Sequence, residues 1–127
     1  LLAETTVSAA RWSAATGCDV RVEVGGLPVR FATPEELTME DGGHARGVAS
    51  FGDDGQVKFI GYRSGSMNDW TVDMTLTHEL GHALGCHSHT NDGSVLDSPS
   101  QLYSKITANA LECVCASLNC EVFVPEA

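Results

Sequence analysis

The residues most able to do chemistry stand together in the run His78-Glu79-Leu80-Gly81-His82-Ala83-Leu84-Gly85-Cys86-His87-Ser88-His89. Side chains four apart share one face of a helix, so His78 and His82 can aim two imidazole nitrogens at a single ion. Glu79 falls about 100° further round the helix, beside the ligands rather than among them. There a carboxylate can take a proton from metal-bound water and pass it to a leaving amine. Zinc needs that helper, because it lowers the pKa of water and polarises a carbonyl but carries no proton onward. The plainer alternative is a pair of surface histidines with a chance glutamate between them. The complete His-Glu-x-x-His spacing on an otherwise amphipathic helix favours the metal. A catalytic zinc also requires a third protein ligand and an open fourth position. Gly85 serves that need, since glycine permits the sharp turn that returns a downstream side chain to the helix end.

With these residues in place, the sequence resembles the metzincin clan of zinc endopeptidases, and within it the matrixin-like branch, whose signature is His-Glu-x-x-His-x-x-Gly-x-x-His. His78, Glu79, His82 and Gly85 match position by position, whereas the third histidine of the signature lands on Ser88, with His87 one residue early and His89 one late. A one-residue insertion in the turn makes His89 the third ligand. The stretches His89-Thr90-x-Asp92 and Val95-Leu96-x-x-Pro99 then resemble the His-Ser-x-Asp and Ala-Leu-Met-Tyr-Pro of matrixins. His87 is the next choice, and Cys86 and Asp92 rank below it by reach and ligand type. The methionine that floors metzincin metal sites has no counterpart. Its place falls on Asp97 with the insertion and on Leu96 without it; a leucine can supply an apolar floor, whereas a carboxylate there needs partners.

The resemblance implies an α+β metzincin-like catalytic domain: a small mixed sheet over a zinc-binding helix, closed by a C-terminal helix. It further implies zinc as cofactor and hydrolysis of peptide bonds in a protein or peptide substrate, with Glu79 as general base. The substrate would lie extended and antiparallel along an edge strand, around Ala45 to Phe51. Tyr103 either assists the oxyanion or packs at a loop end. Two other readings compete: a zinc-holding interaction module that has lost turnover, and a zinc hydrolase acting on a nonpeptide bond. An intact Glu79 argues against the first.

The remainder of the chain must position these groups. Its 127 residues suit one domain, residues 1–127, and 43% hydrophobic with 19% charged residues is the balance of a folded protein. Acidic residues outnumber basic ones 17 to 7, and the basic ones are scattered singly. Such a field disfavours nucleic acid and anionic membrane surfaces and favours a soluble monomer. No apolar run has the length of a membrane span, and Leu1-Leu2-Ala3 is too short for a signal peptide, so the chain reads as a mature or trimmed fragment. Five cysteines without a paired CxxC pattern point to a secreted protein with disulfides. Cys120 with Cys113 or Cys115 is the local pairing and Cys18 with Cys86 a long-range one; a second metal on Cys113, Cys115 and Cys120 is the weaker use of those thiols.

In chain order, Thr5–Thr16 has the apolar spacing of a helix, stopped by Gly17. Asp19–Val24 alternates as a strand, Gly25-Gly26 turns, and Leu27–Ala32 can form a second. Thr33–Gly43 reads as a loop with one helical turn. Ala45–Phe51 and Gln56–Tyr62 are strands joined at Asp53-Asp54-Gly55, the latter alternating Val57, Phe59 and Gly61 against Lys58 and Ile60. Asp69 or Thr71 caps the metal helix, which ends near Gly85. Cys86–Tyr103 is an irregular, site-forming loop, and Ile106–Leu118 resumes helical spacing. Trp12 and Trp70 belong to the core.

Overall fold

Trp12 decides how the first helix meets the helix that carries His78 and His82. The expected helix forms as α1 (Leu2–Thr16) and stops where the Gly17 amide donates to Ser13 O at 3.0 Å, with φ of 76° at the glycine. Its Trp12 side chain is fully buried, and the indole N–H donates to the carbonyl of Thr77 at 2.8 Å. Arg11 pairs with Asp73 at 2.6 Å, and Thr77 Oγ1 lies 3.0 Å from Ser8 Oγ. A polar seam therefore fixes α1 along α2 (Asp69–Leu84) one residue before His78.

The computed structural model describes residues 2–18, 20, 28–38, 46–54, 57–63, 69–97 and 105–116. Within them lie three helices and three strands: α1, β1 (Val29–Phe31), β2 (Gly47–Phe51), β3 (Val57–Tyr62), α2 and α3 (Ala108–Ala116). This is an α+β arrangement with a mixed sheet in the order β1-β3-β2, as expected at that coarse level. β1 runs parallel to β3, with Val29 opposite Ile60; β2 runs antiparallel to it, with Gly47 opposite Tyr62. α2 packs on β2 and β3, and its apolar face meets Ile60, Leu96 and Val114, all of them fully buried. No helix among the described residues is long and apolar enough to cross a membrane.

Several local expectations need correction. The second strand spans only Val29–Phe31 and pairs in parallel with β3; the strand expected over 19–24 lies outside the described residues apart from Val20, which is buried outside any strand. In β3, Ile60 and Tyr62 face the core, not Phe59. Ser50 pairs with Phe59 and Phe51 with Val57, so Lys58 is an extra residue in the ladder. That bulge puts Val57 on the same face as Ile60 despite their odd spacing and leaves Phe59 on the other face, beneath the Arg30 guanidinium at 3.9 Å. At the closing helix, Thr107 caps α3 by accepting from the Ala110 amide, so Ile106 precedes the helix instead of opening it. Trp70 lies in α2, but its side chain is not among those described.

Thr33-Pro34-Glu35-Glu36 forms the expected single turn and locks it to β1, an edge strand among the described residues. Glu36 accepts from the Thr33 amide, the Thr33 hydroxyl accepts from the Glu36 amide, and Arg30 grips both Glu36 oxygens at 3.0 and 2.8 Å. The Arg30 hydrogen bonds first, and the Thr33 amide second, hold the Glu36 carboxyl down at about 2. A carboxyl depressed in the folded state stabilises the fold above its ordinary value and loses that contribution as pH falls through the depressed one. The stability difference between wild type and Glu36→Gln, read as Tm, is therefore largest above about pH 5 and closes toward pH ~2; a constant difference would remove the carboxylate from this account.

Gly81 supports a second prediction. A Cβ there would sit 2.6 Å from Leu96 Cδ2 and 2.8 Å from Trp12 Cζ2, both on fully buried side chains. Gly81→Val should lower unfolding stability by about 1–3 kcal/mol in urea titration, and a neutral result would show that the contact is not tight.

Candidate metal centre

The last turns of α2 carry His78, Glu79 and His82, all buried. The helix then ends as a Schellman turn. The Gly85 amide donates to His82 O at 3.3 Å and the Cys86 amide to Gly81 O at 3.2 Å, with φ of 144° at Gly85, a backbone that L side chains rarely adopt. Beyond the turn, His87 and Ser88 are exposed and His89 comes back over the helix end. Its ring centroid lies 5.2 Å from that of His78 and 5.1 Å from that of His82. One ligand nitrogen from each of the three rings falls within 4.8 Å of the others, a group that could hold a metal ion.

Which nitrogen each ring offers follows from its partners. His78 Nδ1 lies 2.7 Å from Val95 O and His82 Nδ1 lies 2.6 Å from Cys86 O. A carbonyl only accepts, so both Nδ1 atoms must carry the proton and both Nε2 atoms present lone pairs. Those two Nε2 atoms stand 3.1 Å apart with no proton between them. Nitrogens bound tetrahedrally at Zn–N distances of about 2.0–2.1 Å would lie ~3.3 Å apart, so the pair already has a spacing a small cation can bridge. Burial, and then for His78 the neighbouring His82, pulls these two imidazoles down to about 4, which keeps them neutral and ligand-competent near neutral pH. Imidazole sets of this kind suit zinc, and also copper, iron and nickel.

Glu79 sits next to the ligands and against the start of β2. A Cβ on Gly47 would lie 3.1 Å from Glu79 Cγ and 2.5 Å from Thr75 Cγ2, so only glycine lets that strand descend onto the helix here. Burial alone raises the Glu79 carboxyl, to about 8. The floor beneath the histidines is the segment 94–97. Leu96 is fully buried against Gly81, and Val95 O orients His78. Asp97 turns its carboxylate to the Gly93 amide at 2.7 Å, which supplies a partner for that charge.

The other candidate ligands are engaged elsewhere. His87 sets its ring edge-on to Phe51 at 5.0 Å. Asp92 accepts from Thr107 Oγ1 at 2.6 Å, and that bond is the main cause holding its carboxyl below the usual range. Cys86 is bonded to Cys113, which sets aside two of the pairings the sequence left open, Cys18 with Cys86 and Cys113 with Cys120. Cys115 is a free, exposed thiol, and Cys120 lies outside the described residues, as do Tyr103 and Pro99. Pairing was not legible because the loop that brings Cys86 to α3 has no periodicity. Nor did residue types signal the carbonyls of Val95 and Cys86, since any residue carries one.

Compared with protein families, curated proteins and solved structures, the chain matches none of them.

The geometry separates the two histidines of the turn. Zinc titration against a competing chelator should show His78→Ala, His82→Ala and His89→Ala each losing stoichiometric binding while His87→Ala keeps it. Loss in His87→Ala with retention in His89→Ala would reverse the assignment.

Proposed function

We propose that this chain is a zinc-dependent endopeptidase of metzincin type, with His78, His82 and His89 as metal ligands and Glu79 as general base. The observation that carries the reading is the convergence of three imidazoles at the end of one helix, with a buried carboxylate one residue from the first of them. A zinc ion held there supplies Lewis-acid polarisation of a scissile carbonyl and a water of lowered pKa.

The protein's own residues would do the rest. Burial alone favours the protonated carboxyl of Glu79, and a cation held beside it would favour the ionised form; so ionised, Glu79 would accept the proton of the attacking water on a carboxylate oxygen and return it to the leaving nitrogen. The bond to Val95 O and that to Cys86 O keep the rings of His78 and His82 from turning as charge develops. Beside Glu79 runs β2, an edge strand of the sheet among the described residues, and its register at Gly47 brings it within van der Waals reach of the Glu79 stem. An extended peptide added to that edge would pass close to the metal, bound by main-chain hydrogen bonds. The Cys86–Cys113 disulfide supports an oxidising, extracellular setting.

A second reading also follows from the resemblance: the place of the clan's methionine would fall on Asp97 with the insertion or on Leu96 without it, and neither is methionine. On that reading the chain holds zinc and binds a partner without turnover. Degradation of casein or gelatin separates the two. The peptidase reading expects cleavage that 1,10-phenanthroline stops and that Glu79→Ala lowers about 10²- to 10⁴-fold while zinc stays bound. Zinc binding without cleavage would support the module instead, and cleavage unaffected by Glu79→Ala would end the peptidase proposal.

A further inference from the structure

We infer that Cys113 is a positioning residue for the metal: its disulfide to Cys86 holds the carbonyl that orients His82. The inference rests on the three-histidine metal reading and is independent of peptidase activity.

The two buried ligands are oriented by different means. His78 leans on Val95 O, in a segment tied by Val95 N to Lys105 O at 2.7 Å and wedged by fully buried Leu96. His82 leans on Cys86 O at 2.6 Å, and Cys86 is the first residue after the glycine turn. One main-chain hydrogen bond, from Cys86 N to Gly81 O at 3.2 Å, restrains it. Glycine at Gly85 makes the turn possible and also makes it a hinge. What opposes motion about that hinge is the covalent bond from the Cys86 side chain to Cys113 on α3, whose next residue, Val114, is fully buried. The same cysteine reaches the path to the third ligand, because Ser88 Oγ lies 3.7 Å from Cys113 Sγ one residue before His89.

The consequence is chemical. If Cys86 O swings away, the His82 ring loses the acceptor that keeps its proton on Nδ1, and the Nε2–H tautomer has no lone pair to give a metal at that atom. A disulfide that only shortened the unfolded chain's freedom would change stability and leave affinity alone.

The test is the double variant Cys86→Ala/Cys113→Ala, with Cys115 retained. Removing both thiols leaves no Cys86 sulfur to ligate metal or pair with Cys115, and alanine keeps the backbone carbonyl. Two quantities are read: zinc Kd by chelator competition, and the His82 and His78 ring-nitrogen NMR shifts of metal-free protein. The expected result is a Kd raised about 10- to 100-fold, with His82 passing from a fixed Nδ1–H form to a tautomer mixture while His78 stays fixed. Val114→Ala, which loosens α3 with the disulfide intact, should lower Tm and leave Kd unchanged. An unchanged Kd in the double variant, or an equal rise in Val114→Ala, overturns the inference. Should the double variant not fold, the wild-type spectrum decides: a fixed His82 Nδ1–H supports it and an averaged ring overturns it. Wild type that binds no zinc would instead bring down the metal reading, and this inference with it.

Discussion

Two neutral imidazoles buried side by side, lone pair facing lone pair across 3.1 Å, are the arrangement the rest of the molecule has to sustain. The rings meet edge-on at 4.7 Å, but the two facing lone pairs repel. Each ring stays because its far nitrogen donates to a main-chain carbonyl, one from Val95 and one from Cys86. An unmet polar group in such surroundings costs about 1–3 kcal/mol, so the pocket is poised for a cation that both nitrogens can share. The carbonyl of Val95 in turn requires the 94–97 segment to lie close under α2, which Leu96 achieves by filling the space that Gly81 leaves bare. Trp12 closes the same space from α1, so a helix some sixty-five residues earlier in the chain contributes to the aim of His78.

The sheet contributes in another way. β3 is central and β2 lies toward α2, with glycine at the one point where strand and helix would otherwise collide. Glu79 is consequently sealed on one side by backbone, and its carboxyl is shifted by loss of water rather than by any neighbouring charge. Burial and a set of neutral histidines act together: the first raises proton affinity on the carboxylate, and the second leaves the local field to be set by whatever ion arrives.

Much of this was legible because it is written in short-range periodicity. The four-residue spacing of His78 and His82 needed only a helix, the stop at Gly85 needed only glycine, and the turn at Asp53-Asp54 lies between two antiparallel strands. The choice of His89 over His87 rested on the resemblance; in the fold it is the ring of His89 that lies beside those of His78 and His82. What escaped was set by partners remote in sequence. The face of β3 was misread because a bulge at Lys58 breaks the two-residue rhythm, and such an insertion is decided by the neighbouring strand. The disulfide partner of Cys86 was not legible because Cys113 reaches it only once α3 has docked, and spacing says nothing of docking. The limits of β1 depended on pairing with β3, which strand propensity does not encode.

The bulge at Lys58 carries one more consequence. Sheet edges with free amides recruit other chains indiscriminately, and self-templating is the ordinary hazard of leaving one open. β2 runs for five residues, and its ladder to β3 goes out of step at Phe51, so a second copy approaching in register would find little straight edge to propagate along. The irregularity thus blunts fibril growth while a short stretch of strand beside the histidines remains usable.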